Sequence, residues 1–65
     1  MKITLNGEAR ALNGPTVQDV LTEIGLGAAR VATALNGEFL PAATRAGTAL
    51  KDGDRLEVVA PMQGG

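Results

Sequence analysis

Two of the three Asn-Gly dipeptides, Asn6-Gly7 and Asn36-Gly37, each sit between short runs with the makeup of strands. Both residues of a two-residue type I′ turn need positive φ, which asparagine tolerates and glycine adopts freely, so each dipeptide predicts a tight hairpin. KITL and EARAL flank the first, and Ile3 and Leu5 alternate with Lys2 and Thr4, giving that strand one apolar and one solvated face. The segment RVATALNGEFLP carries the second, with Pro41 ending its last strand at a sheet edge. Leu-Asn-Gly begins at Leu5, Leu12 and Leu35, but unequal spacings of 7 and 23 residues make it punctuation and not a repeating unit.

Between the hairpins, Pro15 leads into TVQDVLTEIG, which predicts a helix. Thr16 can accept from orphan N–H groups, Asp19 stands at the capping-box position, and Gly25 can take the left-handed stop conformation. Val17, Val20, Leu21 and Ile24 fall at i, i+3, i+4 and i+7, one stripe that reads as core, while Gln18, Asp19, Thr22 and Glu23 face away. A helix this short does not persist alone in water, so burial of the stripe against the sheet must hold it. GLGAA reads as a connector. In the third strand Val31, Thr33 and Leu35 are expected to face the helix, although Ala32 and Ala34 are apolar enough to leave the facing open. PAATRAGTAL predicts at most a short helical turn, with Leu50 as its anchor. KDGD then forms a turn, and RLEVVA a final strand with Leu56 and Val58 on one face and Arg55, Glu57 and Val59 on the other. Pro61 removes an N–H and is expected to end the ladder.

The expected fold class is therefore small α+β, a mixed sheet of four to five strands with one helix packed across it. A 65-residue chain is one domain at most, and folding hides only about 60% of the surface that its unfolded form exposes. The expected domain is 1–60, with 61–65 a flexible tail ending in Gly-Gly. Nine glycines in 65 residues make such an ending a matter of about 2% by composition alone.

The chain contains no cysteine and no histidine, which removes thiolate nucleophiles, imidazole bases and the commonest transition-metal ligands. Six Lys+Arg against seven Asp+Glu leave a net charge of -1, without the basic field that nucleic-acid binding needs. The single aromatic, Phe39, argues against a base-stacking surface. Apolar runs are far shorter than the ~20 residues that cross a bilayer, and no signal-peptide pattern follows Met1, so no membrane partner and a cytoplasmic location are expected. Asp52-Gly53-Asp54 reads as turn chemistry and no metal site is expected. GLGAAR lacks the third glycine of a phosphate loop and follows a helix. Arg10, Arg30, Arg45 and Arg55 read as solvated charges.

The order hairpin, helix, hairpin-like pair, final strand and Gly-Gly tail resembles the ubiquitin-like β-grasp fold. More narrowly, TVQDVL, ALNGEFLP, LKDGDRLEVV and the terminal QGG resemble the sulfur carrier family of bacterial thiamine biosynthesis (ThiS), over essentially the whole chain. That family usually carries an arginine just after the proline matching Pro41 and an aromatic a few residues on; here Ala42 and Arg45 stand in those places. The resemblance implies a carrier and not an enzyme. An ATP-dependent activating enzyme, an adenylyltransferase, adenylates the Gly65 carboxylate, and a sulfur donor such as a cysteine desulfurase or sulfurtransferase converts it to a thiocarboxylate. Thiazole synthase is the implied acceptor. By the same resemblance no bound cofactor is expected; the ATP would belong to the activating partner, and the sulfur would travel as the C-terminal thiocarboxylate.

The residues suit that demand. To reach an α-phosphorus in line, the last residues must thread a narrow path, and Gly64 and Gly65 have no Cβ to collide. Met62, Gln63, Gly64 and Gly65 together span at most ~14 Å, so the globule must dock close to the nucleotide. Fixing four residues costs about 4–8 kcal/mol in backbone entropy, which contacts from the folded body must offset. Val59, Pro61 and Met62, with Phe39 and Leu40 as neighbours, are the expected docking surface. Two other functions share the fold: the small subunit of molybdopterin synthase, generally longer and richer in aromatics, and a ubiquitin-like interaction or tagging module. An enzyme would need an acid, base or nucleophile in a pocket, and no residue pair offers that at recognisable spacing.

Overall fold

The computed structural model describes residues 1–60. Its elements are strands β1 (Lys2–Leu5) and β2 (Glu8–Ala11), helix α1 (Val17–Glu23), strands β3 (Ala32–Leu35) and β4 (Glu38–Leu40), a 3₁₀ helix (Ala42–Gly47) and strand β5 (Arg55–Val59). The five strands form one mixed sheet in the order β2-β1-β5-β3-β4. Only β1 and β5 run parallel; the other three pairings are antiparallel.

Both Asn-Gly turns form as expected. Asn6 and Asn36 have φ of 50° and 51°, and the glycines after them 85° and 86°, which is the left-handed pair of a type I′ hairpin. Leu5 pairs with Glu8 across the first turn and Leu35 with Glu38 across the second, leaving two residues in each loop.

The helix begins on the expected capping box. Thr16 Oγ1 accepts from the Asp19 N–H at 3.1 Å, and Asp19 Oδ2 accepts from the Thr16 N–H at 3.1 Å. Gly25, at φ +87°, ends it. The Glu23 carboxylate reaches back to accept from the Asn13 N–H at 3.0 Å, tying the helix's last turn to the linker that precedes it. The predicted stripe is buried: Val17, Val20 and Leu21 are essentially inaccessible, and Ile24 packs at the margin. They meet Ile3 and Leu5 of β1, Leu56 and Val58 of β5, and Leu12 and Leu50 from the connections. Thr33 faces the same way and is buried, with Val31 and Leu35 half-buried, which settles the facing that periodicity left open. Segment 48–50 is stitched to the helix start by Val17 N–H to Thr48 O and Leu50 N–H to Pro15 O.

Arg45 is a correction. It is not a solvated charge: only 7% of it is exposed. Its Nε donates to Thr33 Oγ1 at 3.0 Å and a terminal nitrogen donates to the Val31 carbonyl at 2.6 Å, while Thr33 Oγ1 donates onward to the Leu40 carbonyl at 2.9 Å. The 3₁₀ helix packs against α1, and Arg45 is its only buried residue, the others being exposed Ala, Thr and Gly. Arginine reaches β3 with its aliphatic stem and satisfies the strand's polar groups with its fork of donors. Arg10, Arg30 and Arg55 are exposed, as expected.

The Asp52–Asp54 turn uses its carboxylates on backbone and side-chain donors, the turn chemistry read from the sequence. Asp52 Oδ1 accepts from the Lys2 N–H at 2.7 Å; Asp54 accepts from the Asn36 amide at 3.0 Å and from the Lys51 N–H at 3.0 Å. The Asn36 amide first, then the Lys51 N–H, hold the Asp54 carboxyl below its ordinary value, and the Thr16 hydroxyl and N–H do the same for Asp19. A carboxylate depressed in the folded state contributes stability that is present above its unfolded pKa, about 4, and is lost as pH falls through the folded value. The melting temperature is thus expected to hold from neutral pH down to about 5 and to fall below about 4. Asp54→Asn should melt lower than the unaltered chain at pH 7 and lose less on acidification, as thermal melts across that range would show.

Candidate functional site

The expected site residues Pro61, Met62, Gln63, Gly64 and Gly65 lie outside the described residues. Their root does not. β5 delivers Val59 and Ala60 at one end of the sheet, with β3 and then β4 beside it.

Strand alternation turns Arg55, Glu57 and Val59 to the face opposite the helix. On that face Ala32 pairs with Val59, Ala34 pairs with Glu57, and Phe39 pairs with Ala34 from the other side. The two alanines therefore form a low floor between Val59 and Phe39. The result is an open concavity of about 560 Å³ lined by Asn6, Ala32, Ala34, Phe39, Glu57 and Val59. Phe39 is 72% exposed and Val59 60%, the two large hydrophobic side chains that the described residues leave most open.

Of the sequence-derived docking residues, the structure brings Val59 and Phe39 to one face and leaves Leu40 out. Leu40 follows Phe39 directly in β4, so its side chain takes the opposite face, where it packs half-buried against the core. What the sequence reading missed is Asn6, assigned there only to a turn. Its side-chain amide reaches β5: Oδ1 accepts from the Val58 N–H at 2.8 Å and Nδ2 donates to the Val58 carbonyl at 3.0 Å. Asn36 grips the other end of the same strand, its Oδ1 accepting from the Arg55 N–H at 2.9 Å. The signal available was the shared Leu-Asn-Gly at both hairpins. Among the described residues the third copy shows no such grip; Asn13 is held through its backbone N–H by Glu23.

Among the described residues no cluster of carboxylates could hold a metal ion, and no helix is long and apolar enough to cross a membrane. The described residues thus offer an open, partly apolar concavity at the end of β5.

Residues 3–65 match the model of the ThiS family, and the match runs through the Gly-Gly pair. This chain belongs to the ThiS family. It is 46% identical over 63 residues to the sulfur carrier protein ThiS of Thermus thermophilus, covering 97% of this chain and 98% of that one. It is also 41% identical over 66 residues to the thiazole synthase of Paramagnetospirillum magneticum; all of this chain is covered but only 20% of that much longer protein. Among solved structures, a crystal structure of the thiamine biosynthesis protein ThiS from Geobacter metallireducens superposes over the full length of both chains, with a TM-score of 0.85 at 33% identity. A solution structure of a thiamine biosynthesis protein from the same organism gives 0.80, covering 88% of that chain. The fold is the ubiquitin-like α+β fold of these ThiS structures, as the order of elements implied.

Proposed function

We propose that this ThiS-family chain carries sulfur for assembly of the thiazole ring of thiamine, as a carrier and not a catalyst. The Gly65 carboxylate attacks the α-phosphorus of ATP on an activating enzyme, releasing pyrophosphate. Sulfur delivered by the donor at the oxidation level of hydrosulfide then attacks the acyl carbon; the C–S bond forms, the C–O bond to AMP breaks, and a terminal thiocarboxylate is left. Its sulfur passes to thiazole synthase.

The observation that carries this reading is the family match through Gly65, joined to 46% identity with a sulfur carrier over nearly its whole length. The matching segment within a thiazole synthase supports that enzyme as the acceptor. A body without histidine or cysteine fits a protein whose proton transfers and dehydration are done by partners. The apolar concavity beside Val59 fits the body contact that threading a glycine tail into a nucleotide pocket requires.

The test mixes the chain with an activating enzyme of this class and ATP and follows pyrophosphate. Release is expected from the unaltered chain and not from one lacking Gly65. After a sulfur donor is added, intact mass should show one oxygen replaced by sulfur. Equal release from both chains, or a mass that never changes, would reject the reading.

A further inference from the structure

Strand β5 loses its backbone partner on one edge before it ends. Thr4 N–H donates to the Asp54 carbonyl at 2.9 Å and Asn6 N–H to the Leu56 carbonyl at 3.0 Å, so alternate residues of β5 present their polar groups to β1. Val58 is next in that alternation, yet β1 has already turned away at Asn6. The Asn6 side chain takes its place. A primary amide offers one acceptor and two donors, the same kinds of group as a peptide, and here it bonds to both the N–H and the carbonyl of Val58. On the other edge Val58 pairs with Thr33, and Val59 with Ala32. Both polar groups of Val58 therefore point to the β1 edge, and the Asn6 amide holds them one residue before the end of the strand.

We propose that Asn6 is a positioning residue for the activation reaction: its amide clamp on Val58 fixes the direction in which Val59 and Ala60 leave the sheet toward the reacting terminus. It also holds Val59 in register with the Ala32–Ala34 floor and Phe39, so that docking and threading are set by one geometry. This rests on the adenylation reading above.

The molecule contains its own control. Asn36 has the same turn type and nearly the same φ, and it bonds the Arg55 N–H at the start of the same strand and the carboxylate of Asp54 just before it, at the end away from Val59. A purely structural role predicts equal consequences for the two asparagines. A positioning role predicts that only Asn6 affects activation.

The variants are Asn6→Gly and Asn36→Gly, since glycine keeps the left-handed φ and removes only the side chain. Asn6→Asp, which retains an acceptor for the Val58 N–H and loses the donor, is measured alongside and supplies the reading if Asn6→Gly does not fold. For each, KM and kcat for the carrier in pyrophosphate release are determined with the activating enzyme, together with melting temperature and hydrogen exchange at the Val58 amide. Asn6→Gly is expected to raise KM about tenfold with kcat within about twofold, and to speed Val58 exchange about tenfold, the scale of one lost hydrogen bond. Asn6→Asp should shift KM in the same direction by less. Asn36→Gly should lower the melting temperature comparably and leave KM within about twofold. Equal KM shifts for the Asn6 and Asn36 variants, or none at Asn6, would overturn the positioning role while the adenylation reading stands. An unaltered chain that releases no pyrophosphate would overturn both.

Discussion

Arg45→Ala is expected to lower unfolding stability by about 3 kcal/mol, a large share of what a chain this size has, since about 0.05–0.15 kcal/mol per residue gives roughly 3–10 kcal/mol in all. Two losses combine. The truncation removes the stem that fills the space between the 3₁₀ helix and β3, and the Val31 carbonyl loses the guanidinium donor that bonds it at 2.6 Å. Thr33 loses a donor too, but its hydroxyl still donates to the Leu40 carbonyl, so the β3–β4 link survives. Arg45→Met separates the terms, because methionine restores most of the apolar stem and none of the donors; a cost near 1 kcal/mol is expected for it. Urea titrations of the three proteins, with unchanged slopes, would measure this. Arg45→Ala within about 0.5 kcal/mol of the unaltered chain would show that the buried guanidinium contributes no net stability.

The contrast between Arg45 and the Asn-Gly turns separates what could be read from the sequence from what could not. Turn type, helix start and strand facing follow from residues within four positions of one another: the left-handed φ of Asn6 and Asn36, the Thr16–Asp19 box, and the alternation of Leu56 and Val58. Each depends on local sterics or a fixed period, and each was legible. Arg45 touches partners 12 and 14 residues away, and the Asn6 amide a partner 52 residues away; no window on the sequence contains both ends. The candidate site divides the same way. Val59 and Phe39 could be placed because period-two alternation exposes them, whereas grouping Leu40 with Phe39 set neighbours in a strand on one face, which the pleat forbids. The departure from the family pattern at Ala42 and Arg45 marked the place but not the role: the residues alone left Arg45 a solvated charge, and its bonds to Thr33 and Val31 exist only in the fold.

Val59→Asp is expected to weaken activation by roughly 30- to 700-fold, read as the rise in KM for the carrier in pyrophosphate release, while the melting temperature moves little. Val59 is more than half exposed and its side chain leaves the core on the helix side untouched, so the fold does not depend on it. Its value in the proposed complex follows from magnitudes. Ordering four tail residues costs about 4–8 kcal/mol, and fully burying a valine and a phenylalanine returns about 1.5–3 kcal/mol each. Phe39 and Val59 together therefore offset most of that cost, and without them the tail has little to hold it in place. An aspartate there does worse than remove the valine: it brings a carboxylate into an apolar contact beside Glu57, where the charge must be desolvated without a partner. Phe39→Ala should act in the same direction but more weakly, because it removes burial without adding charge. An inversion, with Phe39→Ala the more damaging of the two, would place the centre of the contact on β4 and not at the tail root. Normal KM in both variants would mean that the activating enzyme grips the chain through some other face.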